Sequence, residues 1–122
     1  MRNLLLAATF AFCSGLAIAG EPVDDCTTVL GSLSVELHHA RGLPPGGKTK
    51  YACAKRYVSL VGASRQRVLR SLGTPDRSGE DGSWTYLFAS RHGETPVGTP
   101  ELIFRFGGGD AVESVDCHRT KG

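Results

Sequence analysis

Histidines, cysteines and adjacent carboxylates are the residues of this chain whose chemistry could go beyond packing. A zinc site would draw on His38, His39, His92, His118 and the cysteines, since imidazole and thiolate are the ligands that metal prefers. The spacing opposes it. Cys117 and His118 are adjacent, so on a strand they face opposite sides, and His38-His39 meets the same obstacle. No Cys-x-x-Cys or His-x-x-x-His pattern occurs. The histidines read as ordinary surface residues, and no metal or other cofactor is expected.

Nucleophilic catalysis would need Cys53 or another thiol beside an imidazole, with a strained elbow and an oxyanion loop. The local sequence offers neither device. Gly107-Gly108-Gly109 follows a strand-like stretch and precedes another, whereas a phosphate cradle opens a helix. Asp24-Asp25 and Glu80-Asp81 lie in polar, flexible stretches, where nothing would raise a carboxyl pKa. No group is poised for chemistry, and the chain reads as a non-enzyme.

The N-terminus predicts the compartment. Arg2 supplies a positive charge, and residues 4–18 are apolar apart from Thr9, Cys13, Ser14 and Gly15. Ala17-Ile18-Ala19 then has the small-x-small form of a signal-peptidase site. These features predict a signal peptide over residues 1–19 and a periplasmic or secreted mature chain. A lipoprotein acylated at Cys13 is the alternative, opposed by bulky Phe12 where a lipobox wants a small residue. The apolar run is too short for a comfortable span, so no membrane span is expected after cleavage.

Residues 20–122 suffice for one domain and are too few for two. The formal charge of +2 drops by one if Arg2 leaves with the leader, and no long basic run exists. That is no nucleic-acid footprint. Cys26, Cys53 and Cys117 remain in an oxidising compartment, so one disulfide and one odd thiol are expected. Of three pairings, Cys53–Cys117 is favoured, because both residues fall on faces expected to be buried, one helical and one on the last strand.

The elements that position these residues begin with residues 61–75. Ser64 suits an N-cap; Val68, Leu69 and Leu72 form a helical stripe while Arg65, Arg67 and Arg70 project elsewhere; Gly73 and Pro75 end the helix. Residues 26–40 are ambiguous between helix and strand, Gly31 weighing slightly against helix, and length favours helix. Pro44-Pro45-Gly46-Gly47 is a break. Residues 51–61 return to helical spacing through Cys53, Ala54, Tyr57, Val58 and Val61.

After a polar turn over 76–82, residues 83–89 alternate, with Trp84, Tyr86 and Phe88 on one face. Residues 90–100 form a Gly- and Pro-rich loop long enough to be mobile. Residues 101–106 place Leu102, Phe104 and Phe106 inward, the glycines turn the chain, and 111–118 forms a third strand. A bulge is expected there because Val112 and Val115 are out of phase. Residues after His118 should fray. The sum is α+β: helices packed on one face of a three-stranded antiparallel meander, a two-layer sandwich.

Val61-Gly62, the capped Val68-Leu69 and Leu72-Gly73-Thr74-Pro75, Trp84-Thr85-Tyr86, then Phe104-Arg105-Phe106 and Val112-Glu113-Ser114-Val115 occur in a telling order. In this order the chain resembles the BamE-like (SmpA/OmlA) domain of bacterial envelope proteins, over residues 51–118, with residues 20–50 as an N-terminal extension. The resemblance implies a two-helix, three-strand fold, no enzymatic activity, and work as a binding or scaffold module in outer-membrane assembly. The chain departs from it in lacking a good lipobox and in its longer, cysteine-bearing extension.

Two functions are weighed. One is a periplasmic binding module that engages an envelope protein through the sheet edge or the 90–100 loop, with Arg91, His92 and Glu94 giving polar specificity. The other is a secreted inhibitor or immunity protein whose loop plugs an envelope enzyme. A thiol enzyme built on a free cysteine is a third, weaker reading. Nothing in the sequence speaks to oligomeric state.

Overall fold

The computed structural model describes residues 25–53 and 57–121. The expected signal peptide over residues 1–19, with Cys13, and Asp24 and residues 54–56 lie outside that range. The fold is α+β, with two α-helices and a four-stranded antiparallel sheet among the described residues.

Helix α1 spans Asp25–Arg41. Its buried residues Cys26, Leu30, Leu33, Leu37 and Ala40 recur every three or four positions, which sets one stripe against the core. Asp25 in the first turn and His38, His39 and Arg41 in the last suit the helix dipole. The strand reading of this segment loses because tertiary burial rewards the helical period over the full length. Gly31 faces open space.

The described residues of the 51–61 stretch do not form the predicted helix. Tyr51–Cys53 are without regular structure, and Val58–Leu60 form one 3₁₀ turn that buries Leu60 and leaves Val58 exposed. The backbone on either side is tied to the sheet. Gly62 N–H donates to the Val112 carbonyl at 2.8 Å and Val112 N–H to the Ala63 carbonyl at 2.7 Å, while Lys48 bridges to Ala89 and Cys53 is bonded to Cys117. Extended ties at both ends leave room only for the tighter turn.

Helix α2 spans Arg65–Leu72. Ser64 caps it, its hydroxyl accepting from Arg67 N–H at 3.0 Å, and Gly73 at φ 81° ends it by donating to the Leu69 carbonyl at 2.8 Å. Val68 and Leu72 are buried, while Leu69 falls toward solvent.

The sheet holds β1 (Arg77–Ser78), β2 (Trp84–Leu87), β3 (Pro100–Phe106) and β4 (Val112–Arg119), in that spatial order. One strand more than expected is present. β1 hides in the polar 76–82 stretch, where the Asp81-Gly82 turn folds Arg77 and Ser78 back onto Thr85 and Trp84. The expected bulge is present: Arg105 pairs Ser114 but Phe106 pairs Val112, so Glu113 is the extra residue. Arg119 and Thr120 do not fray as expected after His118: Arg119 ends β4, and Thr120 N–H donates to the Thr99 carbonyl at 2.9 Å.

The core joins helix and sheet residues in one cluster, from Leu30, Leu37, Val68 and Leu72 to Tyr86, Phe88, Leu102 and Phe104. Tyr86 and Phe104 meet edge-on at 5.7 Å. Arg41 locks the ends of the helices to the sheet. Its Nη1 donates to the Leu72 carbonyl at 3.4 Å, and Nη2 to the Thr74 carbonyl and the Asp76 carboxylate, each at 3.2 Å.

Two outcomes follow from these placements. Arg41→Ala takes the guanidinium from the Leu72 and Thr74 carbonyls and leaves the Asp76 carboxylate with only its Leu87 N–H bond, and should cost about 2–3 kcal/mol in urea unfolding. Gly31→Ala adds a methyl to open helix surface and should raise the unfolding midpoint, by about 1 kcal/mol of stability.

Candidate functional site

The 90–100 loop leaves β2 and returns to β3 over a base that is hydrogen-bonded on both sides. Arg91 N–H donates to the Arg41 carbonyl at 3.3 Å, and His92 N–H to Ser90 Oγ at 3.0 Å. At the other end Thr99, buried among polar partners, donates its hydroxyl to the Pro96 carbonyl at 2.6 Å. Thr120 Oγ1 accepts from Thr99 N–H at 3.1 Å, Gly98 N–H donates to the Thr120 carbonyl at 3.0 Å, and Arg119 Nη1 reaches the Gly98 carbonyl at 2.6 Å. A loop expected to be mobile from its composition is thus cross-braced by the C-terminal residues.

Arg91, His92 and Glu94 all stand exposed on this loop. Val97 joins them at 62% exposure, an apolar side chain among polar neighbours. Where the loop overhangs the sheet lies a hollow of about 220 Å³ lined by Arg77, Leu87, Thr95, Val97, Thr120 and Lys121. Beside it runs a row of charge across the strands. Leu87 pairs Glu101, which pairs His118; the Glu101 carboxylate accepts from Arg77 and lies 2.6 Å from His118 Nε2. Arg105 and Asp116 form a further ion pair across β3 and β4.

The hollow was not foreseen from the sequence. Its residues come from β1, from β2, from the loop and from the braced C-terminus, and two of those four pieces carried no expectation of order. A tight-turn dipeptide, Asp81-Gly82, between Arg77-Ser78 and Trp84-Thr85 was the available signal for β1.

The other candidate residues are dispersed. His38 and His39 are exposed on α1, His92 on the loop, and His118 on the sheet face opposite Cys117; no group of three metal-ligating side chains gathers among the described residues. Cys53 and Cys117 form a disulfide with a Cα–Cα distance of 5.5 Å, each half-buried, and Cys53 is not on a helix as expected. Closing so long a loop contributes about 4 kcal/mol in the chain-entropy model. The expected odd thiol is absent, because Cys26 is disulfide-bonded as well. A thiol nucleophile therefore has no candidate among the described residues.

Asp81 accepts from Ser83 N–H at 3.0 Å, and hydrogen bonds from Ser83 hold its carboxyl below the ordinary value. That is the opposite of what a general acid needs. Gly107-Gly108-Gly109 forms a hairpin turn in which Gly107 N–H donates to the Ala111 carbonyl at 2.9 Å.

Two phenols near the loop base are strongly perturbed. Tyr51 stacks on Phe88 with centroids 4.3 Å apart, and its hydroxyl lies 2.5 Å from that of Tyr57. Burial, then the Tyr57 hydrogen bond, pushes its pKa up. Tyr86, whose hydroxyl donates to the Gly73 carbonyl at 2.8 Å, is pushed up by burial too. Comparison with known proteins returns nothing: no family model, curated protein or solved structure matches the chain.

The raised phenols set an alkaline limit. Each stays protonated in the fold while the unfolded chain ionises, so the stability they confer is complete below pH about 10 and falls as pH rises further. Urea midpoints measured on both sides of that value should drop on the alkaline side, and the drop should shrink in Tyr51→Phe.

Proposed function

We propose that the protein is a non-enzymatic binding or scaffold module of the bacterial cell envelope, built on a BamE-like arrangement in which the helices form a layer over one face of the sheet. What supports the reading is the braced 90–100 loop. An exposed loop held at both ends by backbone and threonine hydrogen bonds gives up little conformational freedom on binding, so its contacts are not offset by a large ordering cost. Arg91, His92 and Glu94 supply polar specificity, and Val97 supplies apolar area among them. The order of capped helix, Gly-Thr-Pro turn, aromatic strand and closing hairpin carries the likeness to the BamE-like domain, and the apolar leader places the module outside the cytoplasm. No helix among the described residues is long and apolar enough to cross a membrane, and the partner is taken to be another envelope protein.

Crosslinking in intact cells followed by mass spectrometry tests this reading. A partner captured by the full chain should be held about tenfold less well when Arg91, His92 and Glu94 are replaced together by alanine. The triple variant should unfold at the wild-type urea midpoint, because these side chains are exposed. Capture unchanged by the triple variant would remove the loop as the contact surface. Capture of a secreted hydrolase with loss of its activity would favour the inhibitor reading instead.

A further inference from the structure

We infer that the hollow between the 90–100 loop and the sheet is a subsite for an aliphatic carboxylate, the group an extended peptide presents at its C-terminus. The inference rests on the loop being a contact surface and adds what that surface reads.

Charge is the first argument. Arg77 and Lys121 both line the hollow. Glu101, the acidic neighbour, is already engaged by Arg77 and by His118, and its side chain is only 12% exposed. Arg77 uses Nη2 for that contact, which leaves further guanidinium N–H groups for a second carboxylate. Lys121 is in no ion pair among the described residues. Two cations thus border the hollow, and no carboxylate is among its lining residues.

The lining is the second argument. Leu87 and Val97 give apolar walls, and Thr95 lines the hollow with them, its hydroxyl without a hydrogen-bond partner among the described residues. Thr120 is different: its hydroxyl is fixed by Thr99 N–H and the Pro96 carbonyl, so it sets the shape of the floor. A site with cations at one rim and branched aliphatic walls suits a short apolar group ending in a carboxylate.

Size is the third. At about 220 Å³ the hollow is smaller than the roughly 300–1,000 Å³ of pockets that enclose drug-sized ligands or cofactors. It has room for about one residue. The bracing hydrogen bonds of Thr99 and Thr120 are made within the chain, so a ligand need not supply them.

The test is a titration of the full chain followed by amide NMR, with three probes: an N-acetylated tripeptide ending in a valine carboxylate, its C-terminal amide, and isovalerate. The free-acid peptide should move the resonances of Leu87, Thr95, Val97 and Thr120, and the amide should bind at least about tenfold more weakly. Arg77→Gln and Lys121→Gln should each weaken the acid about three- to tenfold, and added salt should weaken it further. Lys121→Gln touches no ion pair, so it remains informative if Arg77→Gln disturbs the Glu101 contact. Isovalerate binding as tightly as the peptide would support the carboxylate subsite and make its ligand a small free acid. Equal binding of acid and amide, or indifference to both substitutions, would overturn the proposal. The subsite can fail here while partner capture still depends on Arg91, His92 and Glu94, and the loop reading can fail there while the peptide still binds.

Discussion

Arg41 is the interaction on which the rest of the fold hangs. A helix as short as α2 is not stable alone, and its last carbonyls have no partner within the helix. Arg41, at the end of α1, reaches 31 residues along the chain to the Leu72 carbonyl and continues to Thr74 and Asp76. Asp76 then passes the constraint to the sheet, since the same carboxylate oxygen accepts from Leu87 N–H at 2.7 Å and Asp76 N–H donates to the Thr85 carbonyl. Tyr86 closes the circuit through the Gly73 carbonyl, with the guanidinium 5.9 Å from its ring centroid. One charged group therefore orients both helices and the first two strands. The one buried polar atom it leaves without a partner, Arg41 Nε, is the local cost of that geometry.

The other end of α2 is held by an arginine too, through different chemistry. Arg65 lies 4.0 Å from the Phe106 centroid and 5.2 Å from that of Trp84, and it donates to the Asp110 carboxylate and the Gly82 carbonyl. Asp110 sits at φ 58°, an unusual conformation outside glycine, made accessible by its place in the hairpin turn and matched by its ion pair. A side chain at Gly82 would strike the same guanidinium at 2.9 Å. The two arginines bracket the helix, one through carbonyls and one through rings, and each draws a turn of the sheet onto it.

Local signals were legible in the residues wherever local physics decides the outcome. The Ser64 cap, the Gly73 stop, the alternation of Trp84, Tyr86 and Phe88, and the Glu113 bulge each depend on a few neighbouring residues. The helix of α1 was legible narrowly, because its apolar spacing fits two periods over part of its length. Residues 51–61 misled for a physical reason: their period is helical, but long-range sheet bonds and a disulfide claim the backbone. The same cause hid the order of the 90–100 loop and the anchoring of Thr120, which depend on partners more than ten residues away, whereas β1, paired only six to eight residues ahead, was hidden by its polar composition. Of the candidate site, the exposed triad Arg91, His92 and Glu94 could be named from composition, while the hollow needed the sheet register to assemble it.

The Cys53–Cys117 bond encloses a stretch of chain with a sequence separation of 64, including α2, β1, β2 and β3. Tension applied to the two ends of the protein would run from Cys53 straight across to Cys117 and bypass everything inside that ring. Pulling can peel α1 and the last residues from the block, but it cannot unzip the meander. Load would thus follow a covalent shortcut past the meander, and the contacts it would test first are those that Arg41, Arg119 and Thr120 make to the 90–100 loop from outside the ring.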